Sequence, residues 1–389
     1  MHPTLTRRTF LQSTAAATGL ALTPSLHRAA TAPSAAPFSF ILLGDLHYDK
    51  LEHHDLAWLD RKHPNDLSQI KNYSRLTAEF MSQLFATLRT AIAERNRTPD
   101  THVAFVLQVG DLVEGLCGSE ELATRQNTEA LAFIRDAQLG VPFLFVKGNH
   151  DITGDGAPAA FANVFHPFLT AQTRALAPAT EEIRSARYTL RVGNTEFAFF
   201  DAYDRESLDW FEAAAARRSA EHFFTVVHPP VVPYGARATW YQFSSDKDRP
   251  KREKFLDLLG RERAIVLGGH IHRFNALARK TPRGGFAQLA VSSVIDAAAP
   301  QAKTVLSGLA DYTGDQIRVE PKFSPDTEAA RRTVYDAERP FIKSFEYADL
   351  PGYALVTVDG PRVTAQIFPG HDPVSWRTVN LADLLSRTV

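Results

Sequence analysis

The chain is expected to fold as an α/β protein. Three observations predict this: short runs of apolar, β-branched or aromatic residues, helical periodicity between some of them, and a polar, glycine-rich stop at the end of each run. Phe38 to Leu43 stops at Gly44-Asp45, Val103 to Val109 at Gly110-Asp111, and Phe143 to Val146 before Gly148-Asn149. Phe197 to Phe200 stops at Asp201, Phe223 to Val227 at His228, and Ala264 to Leu267 at Gly268-Gly269-His270. Short, continuously apolar runs suit strands covered on both faces.

Leu76, Phe80, Leu84, Leu88 and Ile92 recur every four residues and share one helix face, with Ser74 as the expected N-cap. Leu122 to Gln138 reads as a second helix. Glu52 to Tyr73, Pro233 to Lys254 and Pro300 to Leu350 read as loops or insertions, the last with a helical piece near Thr327 to Ala337. Tyr353 to Phe368 reads as a hairpin turned by Asp359-Gly360. Polar side chains thus gather at strand C-terminal ends, the edge where open α/β sheets bind ligands.

Across 389 residues, hydrophobic residues make up 44%, enough for a sizeable core, and the formal net charge of −1 gives no sign of a nucleic-acid partner. Cys117 is the single cysteine, which excludes an intramolecular disulfide and a thiolate metal site. Residues 1–36 hold Arg7-Arg8 followed by Phe10-Leu11, a mild apolar run from Ala15 to Leu22, and Ala30-Thr31-Ala32. This resembles a Tat-type signal peptide. It implies passage through the Tat translocase to a periplasmic or secreted location. No stretch after it has the ~18 consecutive apolar residues of a transmembrane anchor.

Five motifs end five of the runs: Gly44-Asp45-Leu46-His47, Gly110-Asp111-Leu112-Val113-Glu114, Gly148-Asn149-His150-Asp151, His228-Pro229-Pro230 and Gly268-Gly269-His270-Ile271-His272. Leaving His150 aside, they offer two carboxylates, one amide oxygen and four imidazoles, a donor set that suits Mn, Fe or Zn. That is too many ligands for one tetrahedral ion, but it suits two ions sharing a carboxylate. Two aspartates leave two divalent ions with net positive charge, which favours a phosphate anion. Each motif alone is commonplace: Asp-x-His is frequent, and His-Pro-Pro is usually a loop. The weight lies in the order and in each motif following an apolar run.

Together the five blocks resemble the calcineurin-like metallophosphoesterase family over about Phe38 to Phe274, and most closely its cyclic-nucleotide phosphodiesterase-type branch. The resemblance implies a four-layer αββα sandwich, two mixed β-sheets flanked by helices, with a dimetal site at strand C-terminal ends. It implies one domain over residues 37–389, with a C-terminal extension at about 300–389. It implies Asp45, His47 and His272 on one divalent or mixed-valence ion, Asn149, His228 and His270 on the other, and Asp111 bridging them. His150 would act on the substrate, oriented by Asp151. The implied reaction is hydrolysis of a small phosphodiester or phosphomonoester by a metal-bridging hydroxide. A nucleotide pyrophosphatase and a non-catalytic metal-binding scaffold are the alternatives. Glu114 stands where the family often has Asp, and no tyrosine follows Asp111, so an Fe(III)–tyrosinate site is not expected. His53, His54, Tyr203, Arg205, Trp240 and Arg273 lie near motifs in sequence, and ordinary surface or packing roles are expected for them.

Overall fold

A computed structural model describes residues 36–99, 102–317 and 327–388; the signal-peptide motifs lie outside them. Among the described residues, fourteen strands form two mixed sheets. The first runs β14 (Arg377–Asn380), β13 (Arg362–Pro369), β12 (Gly352–Asp359), β1 (Phe38–Leu43), β2 (Val103–Gln108) and β3 (Phe143–Phe145). The second runs β10 (Val305–Ser307), β11 (Ile342–Ala348), β8 (Phe274–Thr281), β9 (Gly284–Ala290), β7 (Ile265–Gly268), β6 (His222–Val227), β5 (Thr195–Phe200) and β4 (Tyr188–Val192).

The strands that deliver the motifs are parallel within their sheets: β1 with β2 and β2 with β3, then β5 with β6 and β6 with β7. Parallel neighbours put their C-terminal ends on one edge, so residues far apart in the chain meet there. The apolar runs predicted to be buried on both faces are: all six residues of β1 and all six of β2 are buried. Aromatic rings join the sheets, with Phe40 of β1 edge-on to Phe197 of β5 at 5.4 Å and to Phe224 of β6 at 5.7 Å.

Helices cover the outer faces. On the first sheet lie α3 (Ser82–Arg95), α4 (Glu120–Asp136) and α5 (Ala157–Leu176), with Leu84, Phe85, Leu88 and Ile92 buried on α3. On the second lie α6 (Ser207–Arg217) and α7 (Arg249–Arg261), where Phe211 and Phe255 pack on Phe200. Two expectations need correction here. Glu52 to Tyr73 is not a loop: it carries α1 (Leu56–Lys62) and most of α2 (Leu67–Leu76). Ser74 is not an N-cap; it lies inside α2 and donates to Asp49 at 2.5 Å. A π-helical turn, Thr77–Met81, joins α2 to α3.

The C-terminal part is woven in rather than appended. β11 pairs with β8, and β12 pairs antiparallel with β1. The hairpin turn at Asp359 is as expected, Gly360 taking the positive φ of 53° that the tight turn requires. Between β10 and β11, α8 (Glu328–Glu338) begins at its N-cap Thr327. A last helix, α9 (Leu381–Ser386), follows β14.

Candidate metal centre

The five motif loops converge. Asp45, His47 and His272 bring ligand atoms within 4.8 Å of one another, and so do Asp111, His228 and His270. The amide oxygen of Asn149 joins the second set, 3.2 Å from His228 Nε2. Asp111 Oδ2 lies between the sets, 3.1 Å from His228 Nε2 and 3.9 Å from His47 Nε2. All seven residues expected as ligands are therefore gathered in one place.

The backbone is strained to achieve this. Four of the seven, His47 (φ 47°), Asp111 (56°), His270 (69°) and His272 (56°), sit in the left-handed region. Each such non-glycine residue costs about 1–2 kcal/mol, and strain persists where the surroundings over-determine it. The strand-end glycine Gly148 is needed for close approach: a Cβ there would lie 2.1 Å from both the amide nitrogen and Oδ1 of Asp111.

Hydrogen bonds fix the imidazole tautomers. His47 Nδ1 faces the Glu114 carboxylate at 2.7 Å, and His228 Nδ1 faces the carbonyl of Val109 at 2.8 Å. Both acceptors hold a hydrogen on Nδ1, so that in the neutral ring Nε2 carries the lone pair. Yet His47 Nε2 sits 3.1 Å from His272 Nε2, and His228 Nε2 sits 3.2 Å from His270 Nδ1. Converging nitrogen lone pairs beside two buried carboxylates are the donor set that a pair of cations would satisfy, so the residues fit a dinuclear metal centre.

Burial, with the His228 charge next to it, pushes His270 down to about 3, keeping it neutral as a ligand must be. Burial works against a charge on His228 too, but the Asp111 and Asp45 carboxylates bring it up to about 9, so a cation at its Nε2 would displace a proton. Burial would raise the Asp111 carboxyl, but the His228, His150 and His47 imidazoles hold it well below the usual range. For His150, burial works against the charged form, but the carboxylates of Glu114 and Asp111 bring it up to about 9.

His150 stands beside the cluster with its ring edge-on to His47 at 4.7 Å and its side chain 19% exposed. Its expected partner is corrected. The Asp151 carboxylate accepts from the backbone N–H groups of Asp111 (3.1 Å), Val113 (3.1 Å) and Gly148 (2.7 Å). It knits the second and third motif loops together and does not orient the His150 ring. Glu114 does: His150 Nδ1 donates to its carbonyl at 2.8 Å and lies 3.3 Å from its carboxylate. Two side chains that the sequence did not single out also matter. Tyr73 stacks on His47 with centroids 4.2 Å apart, and Gln69 donates to Glu114 at 3.0 Å. Both come from the stretch read as a loop, where no pattern marks them.

Of the motif neighbours, Tyr203 and Trp240 reach the cluster. The Tyr203 hydroxyl lies 3.5 Å from the amide oxygen of Asn149, and the Trp240 ring is 5.4 Å from that of His270. His53 and His54 are buried in a separate network with Glu129 and Asp49. No helix among the described residues is long and apolar enough to cross a membrane.

The model of the calcineurin-like phosphoesterase family matches residues 38–274. No curated protein matches the chain. A purple acid phosphatase from yellow lupin (Lupinus luteus) seeds is similar in fold, with a TM-score of 0.51 and 12% identity over 89% of this chain and 54% of its own. The chain thus spans about half the length of the lupin protein. A dimetal phosphatase from Danio rerio matches with a TM-score of 0.48 and 14% identity over 88% of this chain and 98% of its own.

Proposed function

Because this chain belongs to the calcineurin-like phosphoesterase family, a family of hydrolases of phosphate esters, we propose that it is an exported two-metal phosphoesterase of small-molecule phosphate esters. The observation that carries the reading is the convergence of two three-residue donor sets, Asp45/His47/His272 and Asp111/His228/His270, on one sheet edge. Asp45, His47 and His272 would hold one divalent ion, and Asn149, His228 and His270 the other, with Asp111 between them. The ions would supply Lewis-acid activation of water and neutralisation of phosphate charge.

The chain's own groups do the rest. The His150 amide N–H donates to Asp111 Oδ1 at 2.8 Å and locks the third motif loop against the second. With Nδ1 held by Glu114, Nε2 of His150 is the atom free to carry a proton to the departing ester oxygen. Glu114 keeps His47 and His150 in fixed relative orientation through one carboxylate.

Export rests on Arg7-Arg8 and the apolar run after them. Replacing both arginines with lysine should leave the protein in the cytoplasm in a fractionation assay; continued export would remove the Tat reading. For the activity, Mn²⁺-loaded protein should release p-nitrophenol from p-nitrophenyl phosphate or its bis ester, and Asp111→Ala should not. Turnover of neither ester nor of a wider phosphate-ester panel would overturn the reading in favour of a metal-binding scaffold.

A further inference from the structure

A cleft of about 550 Å³ lies between the segment after β5 and the segment leading into α7, lined among others by Tyr203, Arg205, Tyr241, Phe243 and Ser245. Resting on the phosphoesterase reading above, we propose that this cleft is the subsite for an uncharged aromatic ester group of the substrate.

Both walls begin at the metal centre. On one side, Tyr203 lines the cleft and points its hydroxyl to Asn149 at 3.5 Å. On the other, Trp240 packs beside His270, and the next residues, Tyr241 to Ser245, line the cleft. A substrate whose phosphate sits on Asn149 and His270 therefore has its substituent at the cleft mouth.

The walls are built before any ligand arrives. The Tyr203 amide donates to Asp201 at 3.0 Å, and Lys147 clamps the same carboxylate at 2.6 Å. Opposite, the Arg252 guanidinium lies 4.3 Å over the Tyr241 ring and donates to the carbonyls of Val231 and Gln242. Phe243 is held edge-on to Phe255 at 5.9 Å. Yet Tyr203 itself keeps 38% of its surface exposed, an open ring face at the rim. Rigid aromatic faces with little conformational freedom left to lose favour planar rings. The volume falls within the roughly 300–1,000 Å³ of small-molecule sites.

Charge bears on the other occupant such a wall could take, a quaternary ammonium. The lining carries three carboxylates, Asp204, Asp209 and Asp248, and three cations, Arg205, Lys251 and Lys254. Each carboxylate is already held by a cation, Asp204 by Arg187, Asp209 by Lys254 and Asp248 by Lys251. A balanced lining offers a cationic ester group no unpaired carboxylate and leaves the aromatic faces to a neutral ring.

Calorimetric titration of the Mn²⁺-loaded protein with phenyl phosphate, methyl phosphate and phosphocholine tests this. Phenyl phosphate should bind about tenfold more tightly than methyl phosphate, the gain of one well-packed aromatic contact. Phosphocholine should gain nothing. Tyr203→Ala, and separately Ser245→Trp at an exposed loop position that fills the cleft, should bring the phenyl-to-methyl ratio close to one. A wild-type ratio near one, a ratio unmoved by both variants, or a preference for phosphocholine would overturn the proposal. Turnover is read separately: a protein that hydrolyses no phosphate ester but keeps the binding ratio refutes the phosphoesterase reading and leaves the subsite standing.

Discussion

The carboxylate of Glu114 lies 2.7 Å from Nδ1 of His47. The same oxygen is 3.3 Å from Nδ1 of His150, and the other oxygen accepts from Gln69. One buried side chain thus positions a candidate metal ligand and the candidate acid together. Groups that orient metal-ligating histidines are typically worth about 10–100-fold in affinity or activity. Glu114→Ala should weaken binding at the Asp45/His47/His272 position by that order, measured by titration of the metal-free protein with Mn²⁺, and should lower kcat as well. Unchanged metal affinity would mean that His47 is held in place by Tyr73 stacking alone.

His150 and Asp151 are adjacent, and the structure separates what their loss should do. His150→Ala should reduce kcat by about 10²–10⁴-fold, the range for a general acid, with metal content and Tm little changed, because its ring hydrogen-bonds to Glu114 at the partly exposed edge of the cluster. Asp151→Ala removes an acceptor for three backbone N–H groups in the buried loops. Leaving those donors unpaired should cost about 3 kcal/mol, seen as a lower urea midpoint. If Asp151→Ala lost activity at full stability, the carboxylate would act in the chemistry after all.

Left-handed backbone at His47, Asp111, His270 and His272 leaves the metal-free protein holding strain and facing lone pairs. Ions that bind only the folded state add stability by mass action, about 2.7 kcal/mol at a concentration 100 times Kd. Chelation should lower Tm, and Mn²⁺ should restore it in a concentration-dependent way. Asp111→Ala should abolish the dependence. A Tm indifferent to chelator would show that the cluster is satisfied without cations.

Much of this centre was legible because parallel strands buried on both faces write themselves as apolar runs. β1, β2 and β6 are read nearly to the residue, and the motif that follows each is then placed at its C-terminal end. Elements whose pattern depends on distant partners were not legible. The apolar positions of α2, Ile70, Tyr73 and Leu76, are sparse, and Ser74 imitates a cap because its true partner, Asp49, is twenty-five residues away. β8 carries a buried Arg279 whose carboxylate partner, Glu338, is fifty-nine residues away. Helix α5 encloses Pro167, which argues locally against a helix. The exchange of roles between Asp151 and Glu114 had the same origin. Adjacency in sequence pointed to Asp151, while the loop turns that carboxylate onto backbone amides.

Glu338, at the end of α8, receives Arg252 of α7 on one oxygen and Arg279 of β8 on the other, both at 2.7 Å. Burial would raise its carboxyl, but the two guanidinium groups hold it below the ordinary glutamate value. A carboxyl depressed in the folded state contributes stability that is present above its unfolded pKa of about 4.3. That contribution is lost as pH falls through the lower folded value. Removing the partner of a buried cation costs about 3–5 kcal/mol, and Arg279 is buried while Arg252 is partly so, so Glu338→Ala should lower stability by about that much at pH 7. The difference between wild type and variant should stay constant from pH 7 to about 5 and shrink on acidification below about 4, read from urea midpoints along the series. A gap that widened in acid would mean that the neutral carboxyl is the favoured folded form. Because Arg252 also braces Tyr241 and Gln242, the variant should in addition reduce phenyl phosphate binding more than methyl phosphate binding.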